Sequence, residues 1–325
     1  MIGAGAVTVD YHLPALSAAA GVEVAWVLDL SLARARQVAA NFRVPQAFTR
    51  LSECSAVDAA LVAVPLGQRA ELVPEACARG WALLCEKPFA FDRQQHLDFL
   101  GRAAAARVPI AAGFMRRGYW STITARKLLR AGLLGHPRSV FAASNGTVRG
   151  TGRGRGWYQA DPRQSGGGVL VETGSHLIDQ LLFLLDVESF RLDSCRQRRA
   201  LDIEYDTQAE GSLRCAGGAD LPFQLRVSAL TEIYNGIVVR CDNGELRIGL
   251  QPDSAVVLHS AAGEPVASFN SPLALMPAVF AAFRSEWDGL RASLAGLSPE
   301  HATGLLTTDF LDACRNTAAW ESPSA

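Results

Sequence analysis

The chain has 325 residues, 49% hydrophobic and 19% charged, with a formal net charge of -1. That balance suits a globular protein of one large or two ordinary domains and argues against general binding to nucleic acid or to an anionic membrane surface. No run of about 18 uncharged apolar residues is present to span a bilayer, and the opening Met1-Ile2-Gly3 lacks the basic segment of a secretory leader. Seven scattered cysteines without a Cys-x-x-Cys pair read as reduced thiols of a cytoplasmic protein. Six dispersed histidines form no metal-ligand cluster, so no metal is expected.

Residues 1–6 form a glycine-rich turn, followed by a helix over 7–20 and an apolar strand over Val22–Leu28. A helix over Leu32–Asn41, a strand over Val57–Val64 and a helix over Leu72–Arg79 come next. Ala82–Cys85 is a short strand that runs into Glu86-Lys87-Pro88, before a helix over Gln94–Ala106 and a strand over Pro109–Phe114. Continuously apolar strands alternating with helices predict a parallel sheet covered on both faces.

Gly3-Ala4-Gly5-Ala6-Val7-Thr8 fits part of the dinucleotide fingerprint. Gly3 permits the tight turn, Gly5 lets a pyrophosphate approach the backbone, and Ala6 and Val7 lead into the helix N-terminus. Thr8 stands where a third small residue is usual. Asp29 ends the next strand, where a carboxylate can hold a ribose 2′-hydroxyl. It favours NAD over NADP, although Ser31 and Arg34 behind it could receive a 2′-phosphate. The strand expected before Gly3 is cut to two residues. A start about five residues upstream would restore a strand of ordinary length; otherwise the sheet is damaged.

Of 31 basic residues only Lys87 and Lys127 are lysine. Guanidinium stays charged at working pH, whereas a partly buried ammonium can give up its proton. A lysine kept at a strand end in an arginine-rich chain is a candidate acid/base; the plainer reading is a structural lysine.

The pattern changes from about Tyr119. A helix covers Ser121–Ala131 and a strand region opens at Pro137–Ala143. A loop rich in glycine and arginine, Asn145–Tyr158, would suit an anionic substrate, or is simply solvated. Strands with period-two alternation run from about Phe190 to Leu258. Asp242-Asn243-Gly244-Glu245 predicts a hairpin with a type I′ turn. Val279–Leu294 and Gly304–Ala318 read as amphipathic helices. Between these parts, Gly166-Gly167-Gly168 leads to a helix carrying Glu172 and His176, four apart and on one face, with Asp179 near it. A carboxylate one turn from an imidazole can orient it for proton transfer. A helix-start carboxylate and a satisfied core histidine are the alternative.

Taken together, the Gly-x-Gly start, Ala82-Leu83-Leu84-Cys85-Glu86-Lys87-Pro88, Gly113-Phe114-Met115-Arg116-Arg117 and the Gly166–Asp179 stretch resemble the glucose–fructose oxidoreductase / inositol dehydrogenase / MocA-like (Gfo/Idh/MocA) family. The resemblance implies an α/β fold, with an N-terminal Rossmann dinucleotide-binding domain and a C-terminal α/β domain built on an open, largely antiparallel sheet. The boundary is expected near residue 118, giving domains of 1–118 and 119–325, with the last helix, about 304–318, packing back on the first. It further implies NAD(P)-dependent hydride transfer at a secondary alcohol or ketone of a sugar, cyclitol or related polyol, in a homodimer or homotetramer. Lys87, Glu172 and His176 map to the family's catalytic positions. Gly3, Gly5, Ala6, Val7, Asp29, Arg34, Pro65, Leu66, Glu86, Lys87 and Arg116 would contact the cofactor. Trp157 and Tyr158 would join Lys87, Glu172 and His176 at the substrate. Three departures stand out: Glu172 for the usual Asp, Arg69 for a frequent His, and Met115 for a frequent Asn. Alternatives within the family are a glycosidase using transient oxidation and a catalytically degenerate regulator.

Overall fold

A computed structural model describes residues 1–17, 19–148, 157–200, 202–218, 220–295 and 304–321. They form two compact units, Met1–Met115 with Val279–Leu305, and Arg116–Ala278 with Leu306–Ala325.

The first unit opens with a π-helical turn, Thr8–His12, that runs into α1 (Leu13–Ser17). It continues through β1 (Trp26–Leu28), α2 (Leu32–Phe42), β2 (Gln46–Phe48), β3 (Ala59–Val62), α3 (Leu66–Ala78), β4 (Ala82–Glu86), α4 (Arg93–Ala106) and β5 (Ile110–Gly113). β1 pairs with β2, and β4 pairs with β3 and β5, all in parallel. Ile2 bridges Leu28 on one side and Val62 on the other, also in parallel. Gly3 N donates to Leu28 O and Ala63 N to Ile2 O, both at 2.8 Å. Short as it is, the opening segment therefore fills the central slot and joins β1 to β3.

All five residues of β4 are buried, and successive side chains leave a strand on opposite faces. Leu83 and Cys85 enter a cluster with Trp26, Trp81 and Phe99, while Ala82 and Leu84 enter another with Val27, Leu61 and Trp287. This double burial is the reason the strands read as continuous apolar runs. Local signals set the helix ends: Ser31 Oγ accepts Arg34 N at 3.3 Å, and the Asp92 carboxylate accepts Gln95 N at 2.8 Å.

The second unit contains α5 (Trp120–Arg130), β6 (Pro137–Asn145), α6 (Pro162–Ser165), α7 (Ser175–Leu184), β7 (Val187–Ala200), β8 (Ile203–Cys215), β9 (Asp220–Ser228), β10 (Gly236–Cys241), β11 (Gly244–Gly249), β12 (Val256–Ser260) and β13 (Pro265–Phe269). α8 (Leu275–Leu294), α9 (Leu305–Thr317) and β14 (Ala319–Glu321) complete the chain. Among the described residues nine strands make one open sheet in the order β13-β12-β11-β10-β6-β9-β8-β7-β14. Of the pairs described in it, β6–β9 and β7–β14 are parallel and the rest antiparallel. α7 lays Leu177, Ile178 and Leu181 into a cluster with Phe223, Leu225, Val227 and, from α9, Phe310.

Two expectations need correction. The segment that returns to the first unit is Val279–Leu305, not the Gly304–Ala318 helix. α8 carries Trp287 and Leu290 into the first unit's core, whereas α9 gives Phe310, Leu311 and Cys314 to the second. The β10–β11 hairpin is present, with Cys241 opposite Gly244, but its two turn residues do not have the positive φ of a type I′ turn. Asp242 stabilises the turn differently. Its carboxylate accepts His136 N at 2.7 Å and pairs with Arg138.

Phe310 is fully buried and its ring lies 5.5 Å from Phe223 and 4.8 Å from Phe190. Phe310→Ala is expected to lower the unfolding free energy of the second unit by about 4 kcal/mol, read from denaturant unfolding. A loss under about 1 kcal/mol would contradict this packing.

Candidate active site

At Gly3 (φ 102°) an added Cβ would lie 2.3 Å from Ala63 O, so the protein's own packing demands glycine there. At Gly5 a Cβ would meet nothing within 4 Å. The second glycine leaves open backbone at the head of the π turn, as approach of a phosphate requires. Thr8, the apparent irregularity, is fully buried, and its hydroxyl donates to Gly3 O at 2.7 Å, tying the turn to the helix it enters. Ala6 and Val7 are half-buried beside it. The Asp29 carboxylate, just beyond β1, accepts Ala4 N at 3.0 Å and Ser31 N at 2.9 Å. Arg34, half-exposed, approaches it to 3.9 Å. Open backbone beside a fixed carboxylate at the end of β1 fits a dinucleotide.

Lys87 follows β4 and is half-buried, with a cis bond to Pro88. Glu86, 7% exposed, is engaged internally. Its Oε1 lies 2.8 Å from His12 Nε2, and its Oε2 accepts Lys87 N at 3.1 Å. Burial acts to raise its carboxyl, but the hydrogen bond from His12 and the positive charges of Lys87 and Arg69 hold it below the ordinary carboxylate value.

Arg69 proves to be a clamp. Only 3% exposed, it donates from Nε and Nη2 to Val64 O at 3.1 and 3.0 Å, and from Nη1 to the carbonyls of Glu86, Pro88 and Phe89. One planar fork thus ties the end of β3 to the Lys87 turn, which the smaller imidazole could not do with a single set of donors. Pro65 caps α3, and the Leu66 side chain is buried, leaving its backbone as the group available to a ligand.

In the second unit, Glu172 lies in a π turn, Leu170–Gly174, and His176 in the first turn of α7; both are half-buried. The segment was expected to be plain α-helix, and the wider turn changes how the two side chains face one another. Glu204 on β8 secures the start, accepting Leu170 N at 3.2 Å and Val171 N at 3.4 Å. At Gly168 a Cβ would lie 2.1 Å from Glu204 O, so the glycine run admits β8. Asp179 does not serve His176. It is 1% exposed and accepts Arg117 Nε at 2.8 Å and Thr307 Oγ1 at 3.2 Å.

Arg116 Nε and Nη1 are buried and meet no hydrogen-bond partner among the described residues. Burial lowers the pKa of the guanidinium, partly opposed by Tyr119. Met115 packs partly against Ala15, Val279 and Phe283. Tyr158 is half-buried, while the Trp157 side chain and residues 149–156 of the glycine/arginine loop lie outside the described residues. His12, Trp287 and Glu204 escaped the sequence reading, and Arg117 entered it only as part of a motif, without a role. Among the described residues no group of His, Cys, Asp and Glu could hold a metal, and no helix is long and apolar enough to cross a membrane.

A family model described as "Oxidoreductase family, NAD-binding Rossmann fold" matches residues 1–114, and one for the GFO/IDH/MocA C-terminal domain matches residues 122–247. The chain belongs to the Gfo/Idh/MocA oxidoreductase family. Rhizopine catabolism protein MocA of Rhizobium meliloti is 27% identical over 216 residues, 64% of each chain. Inositol 2-dehydrogenase of Corynebacterium glutamicum (strain R) is 36% identical over 141 residues, 42% of this chain and 41% of that one. The chain therefore spans under two thirds of the length of these relatives. The crystal structure of KijD10, a 3-ketoreductase from Actinomadura kijaniata in complex with NADP and TDP-benzene, superposes with a TM-score of 0.84 at 21% identity, covering 99% of this chain and 98% of that one. That likeness shows a shared fold over both units, and the family model gives the first as an NAD-binding Rossmann fold.

Arg69→Met would leave several buried carbonyls without donors and is expected to cost about 3 kcal/mol of stability, read by urea unfolding. A fully stable variant would show that the clamp is dispensable. The depressed Glu86 carboxyl has a definite sign in pH. Its contribution is whole above the unfolded value of about 4.3 and is lost as pH falls through the lower folded value. The stability difference between wild type and Glu86→Gln should be flat above about pH 5 and shrink below about pH 4. A difference that instead grows toward acid would mean that the carboxyl is raised.

Proposed function

We propose that the protein is an NAD(P)-dependent oxidoreductase that moves a hydride between the nicotinamide and a secondary alcohol or ketone of a sugar, cyclitol or related polyol. The observation that carries this reading is Lys87 at the end of β4, set in a turn that Arg69 and the Glu86 carboxylate hold in place. The names of inositol 2-dehydrogenase and of the 3-ketoreductase KijD10 support the substrate class.

Gly3, Gly5, Ala6, Val7 and Asp29 would hold the dinucleotide, with Pro65, the Leu66 backbone, Glu86, Arg34 and Arg116 around it. When bound, the nicotinamide supplies a hydride acceptor or donor at its C4. The chain's own part is to bind, orient and move the proton. Lys87 or His176 takes the hydroxyl proton when an alcohol is oxidised and returns it when a ketone is reduced. Glu172, one methylene longer than the usual aspartate, orients His176. Tyr158 contributes to the substrate wall. The Asp29 carboxylate disfavours a 2′-phosphate, so NAD is the proposed cofactor. A homodimer or homotetramer is proposed as the assembly, in keeping with the exposed apolar Leu230 and Val266 of the second unit.

Fluorescence titration should give NADH binding on the order of micromolar, tighter than NADPH. A screen of sugars and cyclitols should then yield turnover. Lys87→Arg keeps the charge but not a proton that can be given up at working pH, and is expected to lower kcat about a hundredfold or more with NADH affinity retained. Unchanged turnover in Lys87→Arg would remove Lys87 as the proton-transfer group. Release of sugar without net NADH would instead indicate the glycosidase chemistry of some relatives.

A further inference from the structure

His12 ends the π turn at the head of the first unit and is fully buried. Both ring nitrogens are engaged. Nε2 lies 2.8 Å from Glu86 Oε1, and the indole Nε1 of Trp287 donates to Nδ1 at 3.1 Å. An indole N–H can only donate. Nδ1 therefore accepts, which assigns the ring proton to Nε2, where it is donated to Glu86. Phe283, four residues before Trp287 on the same face of α8, meets the imidazole edge-on at 4.7 Å and stacks on Tyr11 at 5.2 Å. The ring has little freedom to flip in such a box.

The second Glu86 oxygen holds the backbone of Lys87. A line of hydrogen bonds thus runs from Trp287 through His12 and Glu86 to the residue that carries the candidate acid/base. The charged and titratable groups facing Glu86 are His12 from the π turn, Arg69 from α3, and Lys87 and Cys85 on its own segment. Burial pushes the Cys85 thiol up to about 12, so it adds no charge. Gly113 of β5 closes the remaining side without a side chain.

We propose that His12 and Trp287 are positioning residues for Lys87, holding the Glu86 carboxylate ionised and fixed beside it through a single imidazole tautomer. Neither touches the reacting atoms. Trp287 reaches the site only because α8 returns to the first unit, and its indole N–H, not its bulk, selects which imidazole nitrogen carries the proton. The inference rests on the hydride-transfer reading above for its catalytic consequence and on geometry alone for the tautomer.

The test has two readouts. In protein labelled with 15N-histidine, the His12 signals are identified by their loss in His12→Gln. They should report the Nε2–H tautomer at neutral pH, and Trp287→Phe should convert part of the population to another form. In turnover of the polyol found by the screen, Trp287→Phe and His12→Leu should lower kcat about tenfold, with KM and NADH affinity moving less than about threefold. Both should also shift the acid limb of the kcat profile to higher pH, because Glu86 without its donor takes up a proton sooner. His12→Gln retains a donor of similar reach and should recover most of the lost rate. An Nδ1–H tautomer in the wild type overturns the proposal. So does a Trp287→Phe enzyme that loses melting temperature but keeps its pH profile. A wild type that binds no NADH and turns over no polyol overturns the hydride-transfer reading and this proposal's catalytic claim with it. That failure is recognisable because the tautomer result does not depend on it.

Discussion

Glu86 closes a strand whose five residues are all buried, and an ionised carboxylate left alone there would cost on the order of several kcal/mol. Much of the first unit answers that demand. His12 comes from the turn after the Gly-x-Gly segment, Arg69 from α3, and the backbone N–H from Lys87 itself. Arg69 also holds the carbonyls on either side of the lysine, so the charge and the turn that follows it are fixed by the same side chain. Breaking any one member leaves the others buried with poorer partners, which is how a polar network in a core comes to specify one arrangement.

The second unit solves a related problem with different parts. Three consecutive glycines let the chain pass so close to β8 that a side chain at Gly168 would strike the backbone of Glu204. The Glu204 carboxylate then accepts the first N–H groups of the helix that carries Glu172 and His176. That placement suits the dipole and satisfies donors that no earlier turn can reach. Further along, the buried Arg117–Asp179 pair with Thr307 ties α7 to the segments before and after it. Asp179, which the sequence only placed near the face of Glu172 and His176, is accordingly a structural partner of Arg117.

Hydrophobic period and turn chemistry made much of the fold legible: the parallel order of the first unit, the antiparallel run of the second, the position of Lys87 at a strand end and that of His176 on a helix. What escaped has a common physical cause. His12 meets Glu86 across 74 positions and Trp287 across 275, and no local pattern encodes a contact of that range. α8 and α9 are both amphipathic, so periodicity could not say which one returns to the first unit; only the cores they enter decide it. The β10–β11 turn was misread for a local reason. Asp-Asn-Gly permits type I′, but the Asp242 carboxylate gains more from His136 and Arg138.

Both glycine-rich approaches open into a π turn, Thr8–His12 in the first unit and Leu170–Gly174 in the second. A π turn carries one residue more than a turn closed by i→i+4 bonds, so it shifts every later side chain by about 100° around the helix axis. An imidazole follows closely in each case: His12 ends the first turn and His176 lies two residues past the second. In the first unit the consequence is visible. The wider turn lets Thr8 bond back to Gly3 while His12 faces Glu86 and Trp287. Regular α geometry through the same residues would turn one of those side chains away. The extra residue in the turn, unreadable from hydrophobic period, is therefore what allows one short segment to brace the glycine turn and to hold the carboxylate beside Lys87.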